Sequence, residues 1–582
     1  MTPDEAYDIR IVGEVVLWQK DTFFTQTWIE NNQYRTAIFK NGSQSTRGND
    51  TLIKVANDGI YFVRNQDGIS KLMFMSEYAE PVELLTLGKI VKYDFHADGI
   101  LIIGEEKKDN SGIFETKRHK FKFNGRGLLT STQSLFLFNK EGLRKIVSGD
   151  FDVTDLATNG KRVVISATIE DNDRNLSNLY DVDLNSGELR KLTNEVGDVI
   201  AVAMNEKGEV AYLGHKNGLA PWSSNKLFLL DLGKEFMCGN NCGSKVLSDL
   251  FDSVKEKIIY KGDTIIAAGQ TGGAVHLYQI DDKVTQLTSG NIVVRSFDYD
   301  GNSLAYVYST PIKPTLLKSG SWEYDPNPAL RAISPEEVIE NKGWIIRTKR
   351  ENPTILFIHG GPHMAYGYSY FIEFQFFALN GYNVAYYNPP GSQGYGEEYA
   401  KACVGDWGGS DMEELLNFLT TVREKYGLTG KVGVTGGSYG GYMTNWLITK
   451  VDIFSAAISE RGISNLLSMC GTSDIGFWFN AVEAGVEDPW STEGIAKLMK
   501  LSPITYVRNV KTPLLLIHGE NDYRCPIEQA EQFYQGLVDQ VDVKLVIYNE
   551  EDHEHARRGK PINMKDRLSK KLDWFDEHLK KN

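Results

Sequence analysis

Through roughly the first 320 residues, apolar and polar positions alternate in short runs broken by Asp-Gly, Asn-Gly and Lys-Gly pairs. That grammar predicts short antiparallel strands joined by tight turns. A loose repeat runs through it. Thr46 stands 13 positions before Gly59, and the same distance separates Thr86 from Gly99, Val147 from Gly160 and Thr288 from Gly301. Thr193 and Gly208 stand two residues further apart. The markers recur mostly every 40 to 60 residues or at twice that step. A period near 45 with four short strands per unit predicts a β-propeller, of about seven blades over residues 1–325. Separate β-sandwich domains in series are the alternative.

After Trp322-Glu323-Tyr324-Asp325-Pro326-Asn327-Pro328 the pattern changes. Fully apolar runs (Ile355–Ile358, Val384–Tyr387, Ala456–Ile458, Leu514–Ile517, Val543–Tyr548) alternate with helical stretches over 411–426, 527–538 and 565–579. Buried strands separated by helices predict a mostly parallel sheet covered on both faces, assigned to residues 326–582. Residues Ser334 to Pro353 carry little pattern, and Ile355–Ile358 is a candidate edge strand that could pair between subunits of a homo-oligomer.

Composition narrows the class without naming a function. With 41% apolar and 24% charged residues the chain has the profile of an ordinary globular protein. A net charge of −14 without a basic block argues against nucleic acid or an acidic membrane surface as partner. No run of about 18 apolar residues predicts a membrane span, and the first residues show no secretory signal. Five cysteines fit a reducing compartment, so a cytoplasmic location is expected, with Cys238 and Cys242 as free thiols in a loop. No metal-ligand cluster or phosphate-cradling glycine loop is present, and no cofactor is expected.

The chemistry is carried by Gly436-Gly437-Ser438-Tyr439-Gly440, which lies between the apolar run at 431–435 and a helix-compatible one from Tyr442. G-x-S-x-G between strand and helix is the nucleophile elbow of the α/β-hydrolases. Its tight turn demands small residues two before and two after the serine, here Gly436 and Gly440. A serine nucleophile needs a base, and the base an orienting carboxylate, each on a loop at a strand's carboxyl end. Asp522 follows the run 514–517, with Glu520 and Asp552 as competitors. His553 and His555 both follow the run 543–548, and His553 is nearer the strand end. An oxyanion hole requires the backbone N–H of Tyr439 and one from the loop His359-Gly360-Gly361-Pro362, with Gly361 the candidate.

On these residues, with Gly394-Tyr395-Gly396, Gly405-Asp406-Trp407-Gly408-Gly409, Gly471 to Gly476, Ser502-Pro503-Ile504, His518 to Asp522 and Asp552-His553-Glu554, the last 230 or so residues resemble the acylaminoacyl-peptidase branch of the prolyl oligopeptidase family of serine peptidases. The resemblance implies an amino-terminal propeller joined to an α/β-hydrolase, and it makes His553 the base, with His555 a bystander. It also places an arginine two positions after the catalytic aspartate, Arg524 here, on the substrate carbonyl at the acyl side of the scissile bond. An ion pair that merely orders the loop is the alternative role for Arg524. Pro390-Gly391-Ser392 departs from the family's Arg-Gly-Ser. Glu105-Glu106, the adjacent glutamate pair of the amino-terminal half, reads as solvated surface rather than as a clamp for a free substrate ammonium.

The expectation is therefore a serine peptidase for short, N-blocked peptides, with Ser438, Asp522 and His553 catalytic, Tyr439 and Gly361 as oxyanion donors, and Arg524 binding substrate. A general oligopeptidase, a carboxyl-end exopeptidase or an esterase are the alternatives within the enzyme class. A propeller interaction protein with an inactive hydrolase domain is the alternative outside it.

Overall fold

The computed structural model describes residues 1–581 except 77–78, 108–111, 195–196 and 253. Four-stranded antiparallel sheets follow one another around a ring, formed by residues 11–44, 50–87, 89–147, 153–191 and 198–236. The last two blades, 258–286 and 293–324, touch through a single parallel pair at Val275 and Val293 and so appear as one larger sheet. Seven blades result among the described residues.

The recurrent threonine has a structural reason. Thr46, Thr193 and Thr288 each accept, through Oγ1, the backbone N–H of the third strand of their own blade, at Ile38, Leu179 and Leu277. The glycine that follows turns the chain into the second strand of the next blade, with φ of +154° at Gly59 and +107° at Gly301, values that L side chains rarely adopt. Thr86 departs from the rule: its hydroxyl bonds Glu83 within its own strand.

Among the described residues no strand is shared between the first and last blades. The ring closes through side chains instead, with Val12 N–H on Thr315 Oγ1 at 2.9 Å and Leu17 N–H on Asp298 Oδ2 at 2.7 Å. Innermost strands from all seven blades line an axial cavity of about 690 Å³.

The carboxyl-terminal sheet has eight strands: β1 (Glu336–Ile339), β2 (Gly343–Ile346), β3 (Thr354–Ile358), β4 (Asn383–Tyr387), β5 (Val432–Gly437), β6 (Ala456–Glu460), β7 (Leu514–Gly519) and β8 (Val543–Tyr548). Their order is β1-β2-β4-β3-β5-β6-β7-β8, antiparallel at the β1 and β2 end and parallel elsewhere. Strands β3 to β7 are buried on both faces, which is why they read as unbroken apolar runs. Two sequence expectations need correction. Strand β3 is interior, between β4 and β5, so it offers no edge to a second subunit. The patternless stretch after Ser334 forms β1 and β2; these four-residue strands are too short to show a period.

The two domains interlock. Asp249 of the propeller accepts the N–H groups of Ile372 (2.7 Å) and Glu373 (2.9 Å), capping the first turn of the helix Ile372–Leu379. Gln393 Nε2 donates back to the carbonyls of Trp222 and Ser223, both at 3.1 Å. The amino-terminal helix Pro3–Tyr7 packs on the hydrolase side, with Ala6 and Tyr7 in the same apolar core as Met564 and Phe575.

Candidate active site

The nucleophile turn is specified by its neighbours. Ser438 has φ 59° and ψ −122° between the end of β5 and the helix Tyr439–Lys450. A non-glycine residue held in such backbone costs about 1–3 kcal/mol. Surrounding bonds hold it there, since Ser438 N–H donates to the carbonyls of Glu460 and Arg461, both at 3.1 Å. A Cβ at residue 436 would stand 2.5 Å from the Gly440 carbonyl, and one at residue 440 would stand 2.1 Å from Ile358 O. Both contacts are too short to exist, so the two glycines follow from close backbone approach.

Tyr439 opens its helix, so its N–H lacks an intrahelical acceptor. Its phenol bonds Asp411, and its ring packs edge-on against Trp407. The loop after β3 also approaches closely: a Cβ at residue 360 would meet Ser438 Cβ at 3.3 Å. Gly361 beside it has φ +126°. Two buried histidines hold this loop. His359 Nε2 bonds Ser392 Oγ at 2.8 Å, and His363 bonds Gly391 O at 3.0 Å and Glu483 Oε1 at 2.8 Å. The Pro390-Gly391-Ser392 segment is thus the support on which the loop rests. Gly391 adopts φ +108° there, and a Cβ would strike Cys403 Sγ at 2.6 Å.

Asp522 lies on the loop after β7, almost wholly buried. Its Oδ1 accepts Arg524 N–H (3.0 Å) and Cys525 N–H (2.9 Å), and its Oδ2 meets His553 Nδ1 at 2.7 Å. Ser438 Oγ lies 3.9 Å from Cys525 Sγ, on the same loop. Burial first, and then the Arg461 guanidinium, hold the His553 imidazole well below its ordinary value, so it stands neutral. Its Nε2 has no hydrogen-bond partner among the described residues. His555 is elsewhere: 1% exposed, it bonds Asp552 O and turns Nε2 toward Glu460 at 3.9 Å, in the buried cluster with Arg567 and Lys571. Of the competitors, Glu520 accepts Glu550 N–H at the surface, and Asp552 accepts Glu554 N–H.

Arg524 forms a two-pronged ion pair with the buried Asp474, Nε to Oδ1 at 2.8 Å and Nη2 to Oδ2 at 3.1 Å. Nη1 is left without a hydrogen-bond partner among the described residues, on a side chain that is partly exposed. Glu105 departs from its expected surface position. It is 4% exposed, with Oε2 accepting from Ser131 Oγ and Oε1 3.4 Å from Arg126, because the strand before it buries its end beneath an insertion of the third blade. Glu106 is exposed and pairs with Lys145. Lys108 and Asp109 of that turn lie outside the described residues. Sequence reasoning missed Asp474, which it quoted but gave no role, and Asn124. The latter reaches the site from the propeller: its Oδ1 accepts His553 N–H at 3.1 Å and Tyr523 N–H at 3.3 Å.

A strained serine at a strand-to-helix elbow, a carboxylate-bonded histidine on the next loops and a capping propeller together define a two-domain α/β-hydrolase. Residues 25–314 match the acylaminoacyl-peptidase N-terminal β-propeller domain, and residues 368–582 match the prolyl oligopeptidase family. The chain belongs to the prolyl oligopeptidase family, on its acylaminoacyl-peptidase branch. It is 43% identical over 252 residues to the uncharacterized peptidase YuxL of Bacillus subtilis, a stretch covering 42% of this chain and 38% of that protein. It is 27% identical over 447 residues to the acylamino-acid-releasing enzyme of Mus musculus, covering 65% of this chain and 58% of the relative. The matches thus span well under two thirds of these relatives. Acylaminoacyl peptidase of Pyrococcus horikoshii shares the fold over all of this chain and 98% of its own, with a TM-score of 0.88 at 24% identity.

Proposed function

We propose that the protein is a serine peptidase of short peptides that releases N-acylated amino acids from blocked peptides. Ser438 Oγ attacks the carbonyl carbon and His553 Nε2 takes its proton, with Asp522 orienting the imidazole through Nδ1. The N–H groups of Tyr439 and Gly361 receive the oxyanion. The same imidazole returns its proton to the leaving amine, and water then hydrolyses the acyl-enzyme. Arg524 Nη1 donates to the substrate carbonyl on the acyl side. The observation that carries this reading is the 2.7 Å contact between His553 and Asp522, together with a serine held at positive φ whose Oγ lies 3.9 Å from Cys525 on the Asp522 loop.

The N-blocked preference has its own support. Glu105 is engaged by Ser131 and Arg126, and Glu106 by Lys145, so the adjacent pair offers no open carboxylate clamp for a free ammonium. The mouse relative's name points the same way. Residues 1–325 form the access-restricting domain in this proposal and residues 326–582 the catalytic one. A cytoplasmic setting accords with five unpaired thiols; among the described residues no helix is long and apolar enough to cross a membrane. The test has two stages. A fluorophosphonate should label the wild type and fail on Ser438→Ala. Chromogenic acetyl-aminoacyl substrates should then turn over faster than their free-amino counterparts; equal or reversed rates would remove the acylaminoacyl assignment and leave a general peptidase.

A further inference from the structure

The third blade carries residues 106–133 between its second and third strands, where the fourth blade has a turn from Asp171 to Leu176. The base of this insertion is tied to the fourth blade by cations. Arg118 reaches Asp173 (2.8 Å) and the carbonyl of Asp150 (2.9 Å), and Lys120 reaches Asn172 (3.1 Å). Beyond that base, Lys122–Phe123 and Gly127–Leu128 pair as a hairpin, with Asn124 at its turn and Arg126 of the same turn reaching Asp152 (3.1 Å).

The tip contacts are directed at the reacting groups. Asn124 N–H donates to Asp474 Oδ2 at 2.9 Å, the carboxylate that grips Arg524. Asn124 Oδ1 accepts from the backbone of His553 and from that of Tyr523, the residue next to Asp522. Both partners are N–H donors, so the side-chain atom facing them is the oxygen. The Phe123 ring lies 5.4 Å from the Arg524 guanidinium. Holding the domains together does not require these bonds, because Asp249 and Gln393 already bridge them elsewhere.

We propose that Asn124 is a positioning residue, supplied by the propeller, that fixes the His553 loop and the Asp522 loop in one frame, so that the catalytic centre is complete only with the hairpin docked. The proposal rests on His553 being the base. Without the amide oxygen, the His553 and Tyr523 N–H groups lose a shared acceptor, and the imidazole can shift by the fraction of an ångström that a serine–histidine contact does not tolerate.

The test compares two variants of nearly matched size in the full chain, read by the second-order rate of fluorophosphonate labelling. Asn124→Leu removes the acceptor and is expected to label about 10–100-fold more slowly, with its thermal unfolding transition kept. Asn124→Asp keeps an acceptor and is expected to label within about fivefold of wild type at pH 8. Its added charge faces His553 among Asp522, Asp474, Asp552, Glu554, Arg461, Arg524, Arg557 and Lys122. It favours the imidazolium, so the acid limb of the labelling profile should move to higher pH. Equal rates for the two variants, fast or slow, would overturn the proposal, and so would a slow Leu variant that has lost its unfolding transition. Absence of Ser438 labelling in the wild type would instead remove the peptidase reading itself.

Discussion

The nucleophile elbow and the histidine loop stand at the same edge of one sheet, yet they are held by different means. The elbow is specified within its own domain, by β3, by β6 and by the helix it starts. Its glycines are dictated by carbonyls 2.1 to 2.5 Å from where a side chain would begin. The His553 loop takes its bond to Asp522 from its own domain but part of its backbone pairing from Asn124, 429 residues earlier in the chain. Rigid local geometry thus serves the proposed nucleophile. The proposed base is held jointly, across a domain boundary.

The strongest way to break that comparison is at the two histidines. His553→Ala is expected to lower kcat by roughly 10⁴–10⁶, since triad members act as a unit. His555→Ala should cost activity less than about tenfold, because its contacts run to Glu460 rather than to Asp522. Steady-state kinetics on both proteins separate them, and a dead His555→Ala would mean that the buried Glu460 cluster controls the loop. Next in size is Arg524→Ala. It should lower kcat/KM on acetyl-aminoacyl substrates by about 10–150-fold, from loss of a charged hydrogen bond of about 1.5–3 kcal/mol, with less than about fivefold change on p-nitrophenyl butyrate. Equal losses on both substrates would make the Asp474 pair purely a loop tether. The smallest effect sharpens the picture of the base. Catalysis needs neutral His553, so the rate falls as pH drops through its pKa in the folded enzyme. Burial and Arg461 lower that value, so the His553 titration in kcat/KM should lie below 6.5, whereas burial pushes the Asp522 carboxyl up to about 7. A limb at or above 6.5 would mean that the adjacent carboxylates dominate instead.

What could be read from the chain follows the range of the interactions concerned. The parallel strands were legible because burial on both faces leaves unbroken apolar runs. The blades were legible because a threonine-to-backbone bond and a turn glycine recur in register. The placement of Ser438, Asp522 and His553 after successive strands was legible because each follows an apolar run. Strands β1 and β2 were not, being four residues long, with β1 only partly apolar. The burial of Glu105 was hidden because its cover is an insertion with no counterpart in the repeat. Asn124 and Asp474 meet across 350 positions, and nothing in the spacing of either announces the other. The tether of Arg524 to Asp474 was likewise not legible.

The seam between the first and last blades has a consequence for how such a ring can change over time. Six of its joints are continuous chain, whereas the seventh is made by Thr315, Asp298 and the apolar contacts around them. Circularity is then a matter of fit between wedges rather than of an interlaced strand. The entropic cost of closing a loop rises only about 0.6 kcal/mol for each doubling of its length. Duplicating or deleting a whole wedge would therefore meet little resistance from chain entropy. The arbiter of blade number is the angle at which neighbouring sheets pack, a property that single substitutions along their faces can tune.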